Sequence, residues 1–408
     1  MLSYEAARAR VIEVIRARAS QPHQETIVYA QEPAHALGRI LAENISADRN
    51  YPPINRSTRD GFALRAADAA HAGAKLRLIG ESRAGVAFSG TVEPGTCVQI
   101  MTGAAVPRYA DTVMMQEHAR FEGDAVIFDQ PAHPHHNFVL AGSETRAGEV
   151  VVKAGTKLGY AELAMAAQVG RSKIIVSKRP RVAILSTGDE VVVVDQTPGA
   201  FQIRNSNSVS LAAQVALAGG DPWMLGNAPD EIAQLRVLIE RGLEADMLVL
   251  TGGVSVGKYD LVEQVLRELG AEFFFDALAI RPGKPAVFGW CKAKPVFGLP
   301  GNPVSTMVTC ELLAIPAIEL MSGHKPEPLP MFKAKLVHPV EQRAALTHFL
   351  PARVTWPSGE PTVSILHWEG SGDIGAVVRS NCFLVVHEAK LKLGAGDWVD
   401  VLPRRGAF

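Results

Sequence analysis

The sequence predicts a multidomain α/β plus β protein built around a doubly wound, mostly parallel α/β domain. Between residues 180 and 325 apolar strands alternate with amphipathic helices, as where 182–185 is followed by a helix over 208–218. This alternation is typical of a parallel sheet covered on both faces. From residue 326 onward the pattern is all-β, with short apolar segments separated by Gly and Pro. The 408 residues are too many for one hydrophobic core, which also favours several domains.

The first 180 residues predict two further units. An amphipathic helix over 3–19, capped by Ser3, is followed by a second helical piece over 34–41. Short β segments separated by Gly and Pro then fill 57–143 and indicate a small inserted β domain. The arm after it has one helix, 160–169, and is expected to pack back on the first helices as a discontinuous domain. The predicted domains are 1–50 with 144–179, 51–143, 180–325 and 326–408.

In the α/β domain the predicted strands are short and apolar, and each ends at a turn or glycine loop. After 182–185 they are 223–225, 247–250, 273–275, 286–288 and 296–299. Helices are expected over 231–242, from 261 to 269, and over 302–321, where Pro316 interrupts the last one. In the C-terminal part the expected strands are 332–337, 349–355, 362–366, 383–386 and 398–402.

Composition narrows the class of function. Hydrophobic residues make up 47% and charged residues 20%, so the chain is globular. A formal net charge of −1 argues against a general nucleic-acid or membrane-surface binder. The four cysteines are far apart and indicate reduced thiols of a cytoplasmic protein. No apolar run approaches the roughly 18 residues that span a bilayer, so no membrane segment is expected.

Three loops follow strands of the predicted sheet: 186–190, 251–260 and 299–305. In a doubly wound sheet all three line one crevice at the carboxyl ends of the strands. Glycines in the middle loop leave backbone N–H groups open to an anion. Carboxylates from these loops, Asp189, Glu190 and Asp260, suit a phosphate-bearing ligand together with Mg²⁺. Alternatively, each carboxylate caps a helix.

Other polar groups allow two interpretations. The segment 281–285, Arg-Pro-Gly-Lys-Pro, adds two cations around an exposed N–H and suits a compact dianion, or its charges are simply solvated. Before the helix at 208, Asn207 or Ser208 is expected to be the cap, which leaves Asn205 as a ligand contact. The histidines at 133, 135 and 136 are not expected to bind a metal, because Pro134 lies inside the cluster and no cysteine is near.

Seven motifs occur in an order that resembles a known family. They are Asp60-Gly61-Phe62-Ala63, Met101-Thr102-Gly103-Ala104, Ser186-Thr187-Gly188-Asp189-Glu190, Asn205-Ser206-Asn207, Gly252-Gly253-Val254-Ser255-Val256-Gly257, Arg281-Pro282-Gly283-Lys284-Pro285 and Leu299-Pro300-Gly301-Asn302-Pro303. Together they resemble the molybdopterin molybdenumtransferase family (MoeA), which includes the C-terminal domain of gephyrin, over essentially the whole chain. The resemblance implies a discontinuous elongated N-terminal domain, an inserted small β domain, a molybdopterin-binding α/β domain and a C-terminal β-barrel. It also implies a homodimer whose site lies between the α/β domain of one subunit and the inserted domain of the other.

The resemblance further implies a reaction. Adenylylated molybdopterin and molybdate are the substrates, Mg²⁺ is required, the adenylate is hydrolysed, AMP is released, and molybdenum stays on the dithiolene. The implied partners are a molybdopterin adenylyltransferase and molybdoenzyme apoproteins or their chaperones. The implied catalytic residues are Asp60, Thr102, Glu190, Asp260 and Lys284, and the implied metal ligands are Glu190, Asp230 and Asp260. The implied substrate-binding residues are Ser186, Thr187, Gly188, Asn205, Asp230, Gly252, Gly253, Ser255, Gly257, Arg281, Pro300, Gly301, Asn302, Pro303 and Ser371.

The chain departs from the family pattern at two places. Arg281 replaces the usual lysine, which keeps the charge and changes the donor geometry. The segments 139–141 (Val-Leu-Ala) and 143–144 (Ser-Glu) replace a basic run and an aspartate. These changes leave open a paralogue acting as a non-catalytic carrier or scaffold. A molybdopterin adenylyltransferase is the third alternative, although its glycine loop usually reads Gly-Gly-Thr-Gly.

Overall fold

The structure is a computed structural model that describes residues 1–253, 261–325, 327–342, 346–390 and 392–407. Its first helix is Tyr4–Arg18, and the Ser3 side chain accepts a hydrogen bond from the Ala6 N–H at 3.2 Å, as predicted for a cap. The buried face of this helix, which includes Val11, belongs to the core on one side of the α/β sheet. The predicted arm belongs to another core, which it shares with Ala36 and Leu41. Of the two segments on which it was expected to pack, the arm therefore packs on 34–41 and not on the first helix.

That arm pairs with the segment that follows the first helix. Gln24–Val28 is antiparallel to Lys173–Ser177, and Ile45–Ser46 is antiparallel to Val150–Val152. The helix Tyr160–Gln168 packs on this pair of small sheets. The helix predicted over 34–41 is wrong, because only a 3₁₀ turn, Pro33–His35, forms there. Pro33 and Gly38 (φ +76°) bracket the segment and leave too few residues for a stable helix.

The inserted unit is a six-stranded sheet. In spatial order its strands are Thr112–Met115, Gly61–Leu64, Thr96–Ile100, Lys75–Ser82, Ala125–Phe128 and Ala119–Glu122. Phe62 and Phe128 meet edge to face at 5.8 Å inside its core. An antiparallel pair, Arg56–Ser57 with Phe138–Val139, lies outside this sheet.

The α/β unit confirms the predicted fold class. In spatial order the strands of its sheet are Asp221–Ala228, Arg181–Thr187, Met247–Thr251, Lys294–Leu299, Pro285–Cys291 and Glu272–Ala277, with Pro285–Cys291 antiparallel to both neighbours and the rest mutually parallel. The helices that cover the sheet are Ser206–Leu217, Ile232–Gly242, Leu261–Glu268 and the chain from Pro303 to Met321. Val182 and Ile184 face one core while Ala183 and Leu185 face the other, because side chains alternate along a strand.

The last helix of this unit has an irregular middle. Its parts are Pro303–Thr309 (α), Cys310–Ala314 (a π turn) and Ile315–Met321 (α). Pro316 has no N–H to continue the hydrogen-bond ladder, which fits a widened turn directly before it. The helix is long and apolar enough to cross a membrane, with a mean hydropathy of 1.5, but it is 78% buried inside the protein. Its burial and its ion pair between Glu311 and Arg405 (3.0 Å) are those of a core helix.

The C-terminal unit is a closed five-stranded barrel. Its strands are Phe332–Leu336, Thr347–Thr355, Thr362–Ile365, Cys382–Val386 and Trp398–Pro403, and Thr347–Thr355 pairs with Cys382–Val386 to close it. The all-β expectation missed the helix Ile374–Arg379, which Asp373 caps. Ile280–Arg281, from the α/β unit, adds a short parallel strand alongside Thr347–His348. The residue boundaries between the four units stay predictions.

Candidate functional site

A cavity of about 650 Å³ lies at the carboxyl ends of the parallel strands, where the sequence predicts a crevice. The predicted site residues that line it are Ser186, Thr187, Gly188, Glu190, Asn205, Asp230, Gly252, Gly253, Pro300, Gly301, Asn302 and Pro303. Ser206 and Asn207, which belong to a motif of the family resemblance, also line it, and the lining residues that the sequence did not indicate are Val191, Ile203, Arg204, Leu235, Leu261 and Val262. Several of these are apolar, so one wall offers a heterocycle a surface to pack on.

The turn after Met247–Thr251 requires its glycines. Gly252 and Gly253 have φ values of +87° and +61°, in the left-handed region. A Cβ atom on Gly252 would lie 2.7 Å from the Thr187 carbonyl oxygen, and one on Gly253 would lie 2.8 Å from the Thr187 hydroxyl. The two strand-end loops are therefore in direct contact at the floor of the cavity. The predicted residues Ser255, Gly257 and Asp260 lie outside the described residues.

Two carboxylates, Glu190 and Asp230, line the cavity, and the carboxylate of Asp189 lies beside Asp230. The Asp189 carboxylate accepts a hydrogen bond from the Asp230 N–H at 3.0 Å. Burial raises the pKa of Asp230, and the negative charges of Asp189 and Glu190 raise it further. A divalent cation would relieve this repulsion, and oxygen donors suit Mg²⁺.

The described residues contain no group of three or more His, Cys, Asp or Glu side chains placed to hold a metal. A Mg²⁺ ion bound by Glu190 and Asp230 would therefore complete its shell with phosphate oxygens and water, which is its usual behaviour. The rings of His133 and His136 lie 5.3 Å apart and are exposed, far in sequence from these carboxylates.

Two asparagines, Asn205 and Asn207, lie at the start of the helix Ser206–Leu217, and the one that caps the helix is not the one expected. The Asn205 side chain accepts hydrogen bonds from the Ser208 N–H (3.0 Å) and the Ser186 hydroxyl (3.1 Å), so Asn205 is the cap. Asn207, expected as a cap, instead donates from its amide nitrogen to the Thr251 hydroxyl (2.9 Å) and the Gly301 carbonyl (2.8 Å). The expectation was therefore wrong. The sequence offers one indication of this second role. A helix start needs one capping side chain, so the presence of two asparagines indicates that one of them has another task.

The segment 281–285, called the cationic loop from here on, lies at the edge of the cavity. Arg281 and Lys284 are exposed and are not among the residues that line it, whereas Pro285 is. Gly283 has φ +110°, and a Cβ atom there would lie 2.6 Å from the Thr309 methyl and 3.2 Å from Ile280 Cδ1. The loop is thus held tightly against the last helix and presents its charges outward.

Asp60 and Thr102 meet each other in the inserted unit. The Asp60 carboxylate accepts from the Thr102 N–H (2.6 Å) and hydroxyl (2.8 Å), and these hydrogen bonds hold the pKa of Asp60 below its usual range. Among the described residues, none from the inserted unit lines the cavity. Within one chain the structure therefore does not bring this pair to the cavity.

Ser371, from the C-terminal unit, does not line the cavity but contacts a residue that does. Its hydroxyl accepts a hydrogen bond from the Asn302 amide at 2.9 Å, and its carbonyl accepts one from the Val304 N–H at 2.9 Å. Because Asn302 lines the cavity, Ser371 supports the loop that precedes the last helix.

Three family models together match most of the chain. They are described as MoeA N-terminal region (domain I and II), over residues 2–170, probable molybdopterin binding domain, over 183–320, and MoeA C-terminal region (domain IV), over 333–403. The three matches follow the order of the structural units described above.

Relatives of similar length carry one name. A protein from Haemophilus influenzae called molybdopterin molybdenumtransferase is 31% identical over 407 residues, which is 99% of this chain and 98% of the relative. A protein of the same name from Staphylococcus aureus is 31% identical over 372 residues, or 90% of this chain and 89% of the relative. Two solved structures of a molybdopterin biosynthesis MoeA protein from Pyrococcus horikoshii superpose with TM-scores of 0.80 and 0.79, at 31% and 26% identity, over 98% of this chain and 99% of theirs. The chain therefore belongs to the MoeA family.

Proposed function

We propose that this chain is a molybdenumtransferase that acts on adenylylated molybdopterin and molybdate, with Mg²⁺, in molybdenum cofactor biosynthesis. Water attacks a phosphorus atom of the phosphoanhydride, the bridging P–O bond breaks and AMP leaves. The two dithiolene sulfurs bind molybdenum, and one molybdate oxygen leaves as water with the two thiol protons. The observation that carries this proposal is the cavity itself, which the Gly252–Gly253 turn and the carboxylates Glu190 and Asp230 line in a chain of the MoeA family. Hydrolysis of a phosphoanhydride needs both charge neutralisation and an oriented oxygen.

Each side of the cavity has a proposed task. Glu190 and Asp230, with Asp260, hold the Mg²⁺ ion, which when bound neutralises charge on the phosphates. In the turn after Met247–Thr251 the Gly253 N–H binds phosphate oxygens, whereas the Gly252 N–H donates to the Leu299 carbonyl at 3.2 Å. Ser186, Gly188, Asn205 and the Pro300–Pro303 segment shape the pocket around the substrate.

The cationic loop attracts the second substrate. Lys284 and Arg281 are exposed at the cavity edge, where a compact dianion such as molybdate can approach from water. Gly283, fixed against the last helix, keeps both cations in one place. Molybdate and tungstate have nearly the same size and charge, so this loop accepts either oxyanion.

Asp60 and Thr102 enter the site from a second subunit in this proposal. Their absence from the cavity of their own chain supports a homodimer with shared sites. The hydrogen bonds from Thr102 keep Asp60 ionised, which suits it to orient water or a cation rather than to donate a proton. Ser371 completes the rim through Asn302. We also propose a cytoplasmic location, supply by a molybdopterin adenylyltransferase, and delivery to molybdoenzyme apoproteins or their chaperones.

The decisive experiment is an AMP-release assay. The purified protein is incubated with adenylylated molybdopterin, Mg²⁺ and molybdate, and AMP is quantified against time. We expect AMP release that depends on both ions and is lost in Glu190→Gln with the fold intact. A protein that releases no AMP would contradict the proposal. ATP consumption with unadenylylated molybdopterin would instead assign adenylyl transfer.

A further inference from the structure

Two side-chain oxygens at the cavity, Asn207 Oδ1 and the Thr187 hydroxyl, have no hydrogen-bond partner among the described residues. The Asn207 amide nitrogen donates to the Thr251 hydroxyl and to the Gly301 carbonyl. Because a carbonyl only accepts, this contact fixes which end of the amide is nitrogen. The Asn207 Oδ1 atom is then shielded from solvent and accepts no hydrogen bond from the part of the chain that the structure describes. A buried acceptor of this kind requires an explanation, and a ligand donor is the direct one.

The substrates offer few groups that can donate to this atom. Phosphate, molybdate and thiolate groups are acceptors at neutral pH and would be repelled by an amide oxygen. The donors that remain are the exocyclic amino group and the ring N–H groups of the pterin, the amino group of the adenine and the ribose hydroxyls. Of the pterin donors, the exocyclic amino group lies at the outer edge of the ring, farthest from the anionic dithiolene and phosphate. The adenylate leaves during the reaction, whereas the pterin is common to substrate and product. We therefore assign this contact to the pterin.

We propose that Asn207 Oδ1 accepts a hydrogen bond from the exocyclic amino group of the pterin and determines the specificity for that ring. The inference rests on the proposed function and deepens it. Asn207 also positions the site, since its amide nitrogen ties together the loops that end at Thr251 and Gly301.

Thr187 indicates where the anionic end of the same ligand lies. It is 5% exposed, it lines the cavity, and its hydroxyl has no hydrogen-bond partner within the described ranges. That hydroxyl faces the Gly252–Gly253 turn, as the close approach of a Cβ atom on either glycine shows. Unlike Asn207 Oδ1, a hydroxyl can donate to a phosphate oxygen. The floor of the cavity is thus divided between an acceptor for the ring amine and a donor for the phosphate.

The chain offers a matched control for Asn207. The Asn227 amide nitrogen donates to the carbonyls of Gly188 (2.8 Å) and Val191 (3.3 Å), and its Oδ1 is also buried without a partner. Asn227 is not among the residues that line the cavity. It therefore shares the loop-positioning role of Asn207 and lacks access to a ligand.

The test compares two pterin probes that differ at one group. In 6-hydroxymethyllumazine an oxygen replaces the amino group of 6-hydroxymethylpterin, so a donor becomes an acceptor. Binding of each probe is followed by its own fluorescence in wild type, Asn207→Ala, Asn207→Ser and Asn227→Ala, with circular dichroism to verify folding. We expect wild type and Asn227→Ala to prefer the pterin by about tenfold or more, and both Asn207 variants to lose most of that preference.

Several outcomes would overturn the inference. Equal binding of the two probes by a wild type that still releases AMP would refute this role of Asn207 and leave the proposed function in place. Loss of the preference in Asn227→Ala as well would make it an effect of loop position. If Asn207→Ala weakened the binding of AMP and left the pterin unaffected, the contact would be to adenine. A wild type that binds neither probe and releases no AMP would refute the proposed function too.

Discussion

The packing of the cationic loop against the last helix can be tested with single methyl groups. One is the methyl that Gly283→Ala adds, and the other is the methyl of Thr309. In Gly283→Ala the new Cβ atom would lie 2.6 Å from the Thr309 methyl, closer than real Cβ atoms approach a carbon. Relief of this overlap costs about 1–3 kcal/mol, as overpacking of a core does. The φ of +110° adds strain of about 1–3 kcal/mol for a residue with a side chain. The variant should therefore lose about 2–6 kcal/mol of stability.

Thr309→Ser separates these two costs. Serine keeps the hydroxyl that donates to the Ser305 carbonyl at 2.8 Å and removes only the methyl. Alone, this change should cost about 1 kcal/mol for the lost buried methyl. Combined with Gly283→Ala it should restore the overlap term of about 1–3 kcal/mol and leave the φ strain unchanged.

The assay is the thermal unfolding midpoint of the four proteins that form this double-mutant cycle. Each kcal/mol shifts the midpoint by about 2–4 °C for a unit of this size. AMP release against molybdate concentration should follow the same order, because a displaced loop moves Lys284. Additive midpoint shifts, with no recovery in the double variant, would refute the claim that Gly283 is required by its contact with Thr309.

Three further predictions address charge and assembly. Burial and the charges of Asp189 and Glu190 raise the pKa of Asp230. Above this raised pKa the ionised carboxylate lowers the stability of the metal-free fold. At lower pH the carboxyl is protonated, and this loss of stability disappears. Asp230→Asn should then raise the metal-free melting midpoint at pH 7, converge with wild type in acid, and lose the stabilisation that Mg²⁺ gives; a lower midpoint at pH 7 would contradict this. Lys284→Ala should raise the molybdate concentration for half-maximal AMP release by about tenfold or more, while pterin fluorescence titrations stay the same; a shifted pterin affinity would make the loop a clamp for the pterin phosphate. After subunit exchange with random pairing, a mixture of Asp60→Ala and Glu190→Ala chains should regain about a quarter of its sites, because about half of the dimers are mixed and each mixed dimer has one native site; no recovery in verified mixed dimers would place both residues in one subunit's site.

The fold was predictable wherever burial leaves a periodic trace in the sequence. The strand Met247–Thr251 contains the predicted 247–250, and Arg181–Thr187 contains the predicted 182–185, because both are apolar runs bounded by turn residues. The helix Ile374–Arg379 was missed, since six residues that include Gly375 leave no helical period to recognise. Short elements of this kind are held by tertiary contacts rather than by their own preference.

The position of the cavity could be predicted from the sequence, but the hydrogen bonds between its residues could not. Strand ends with glycines mark the crevice, because parallel strands bring their carboxyl ends to one edge. The exchange of roles between Asn205 and Asn207 was not predictable, since either amide can cap the helix and only the position of Thr251 and Gly301 decides. The same holds for the pairing of Arg281 with His348, which joins strands that are distant in the chain.

Two contacts couple the stability of the barrel to substrate binding. They are the pairing of Arg281 with His348 and the hydrogen bond between Ser371 and Asn302. Any fluctuation that opens the barrel at Thr347–His348 also loosens the cationic loop, and detachment of Ser371 loosens the loop before the last helix. A ligand that binds only the intact cavity raises the free energy of both openings. Amide hydrogens of Thr347–Thr355 should therefore exchange more slowly with solvent when the cavity is occupied, although the barrel itself does not surround the ligand. In this way the barrel reports on a site that lies in another part of the chain.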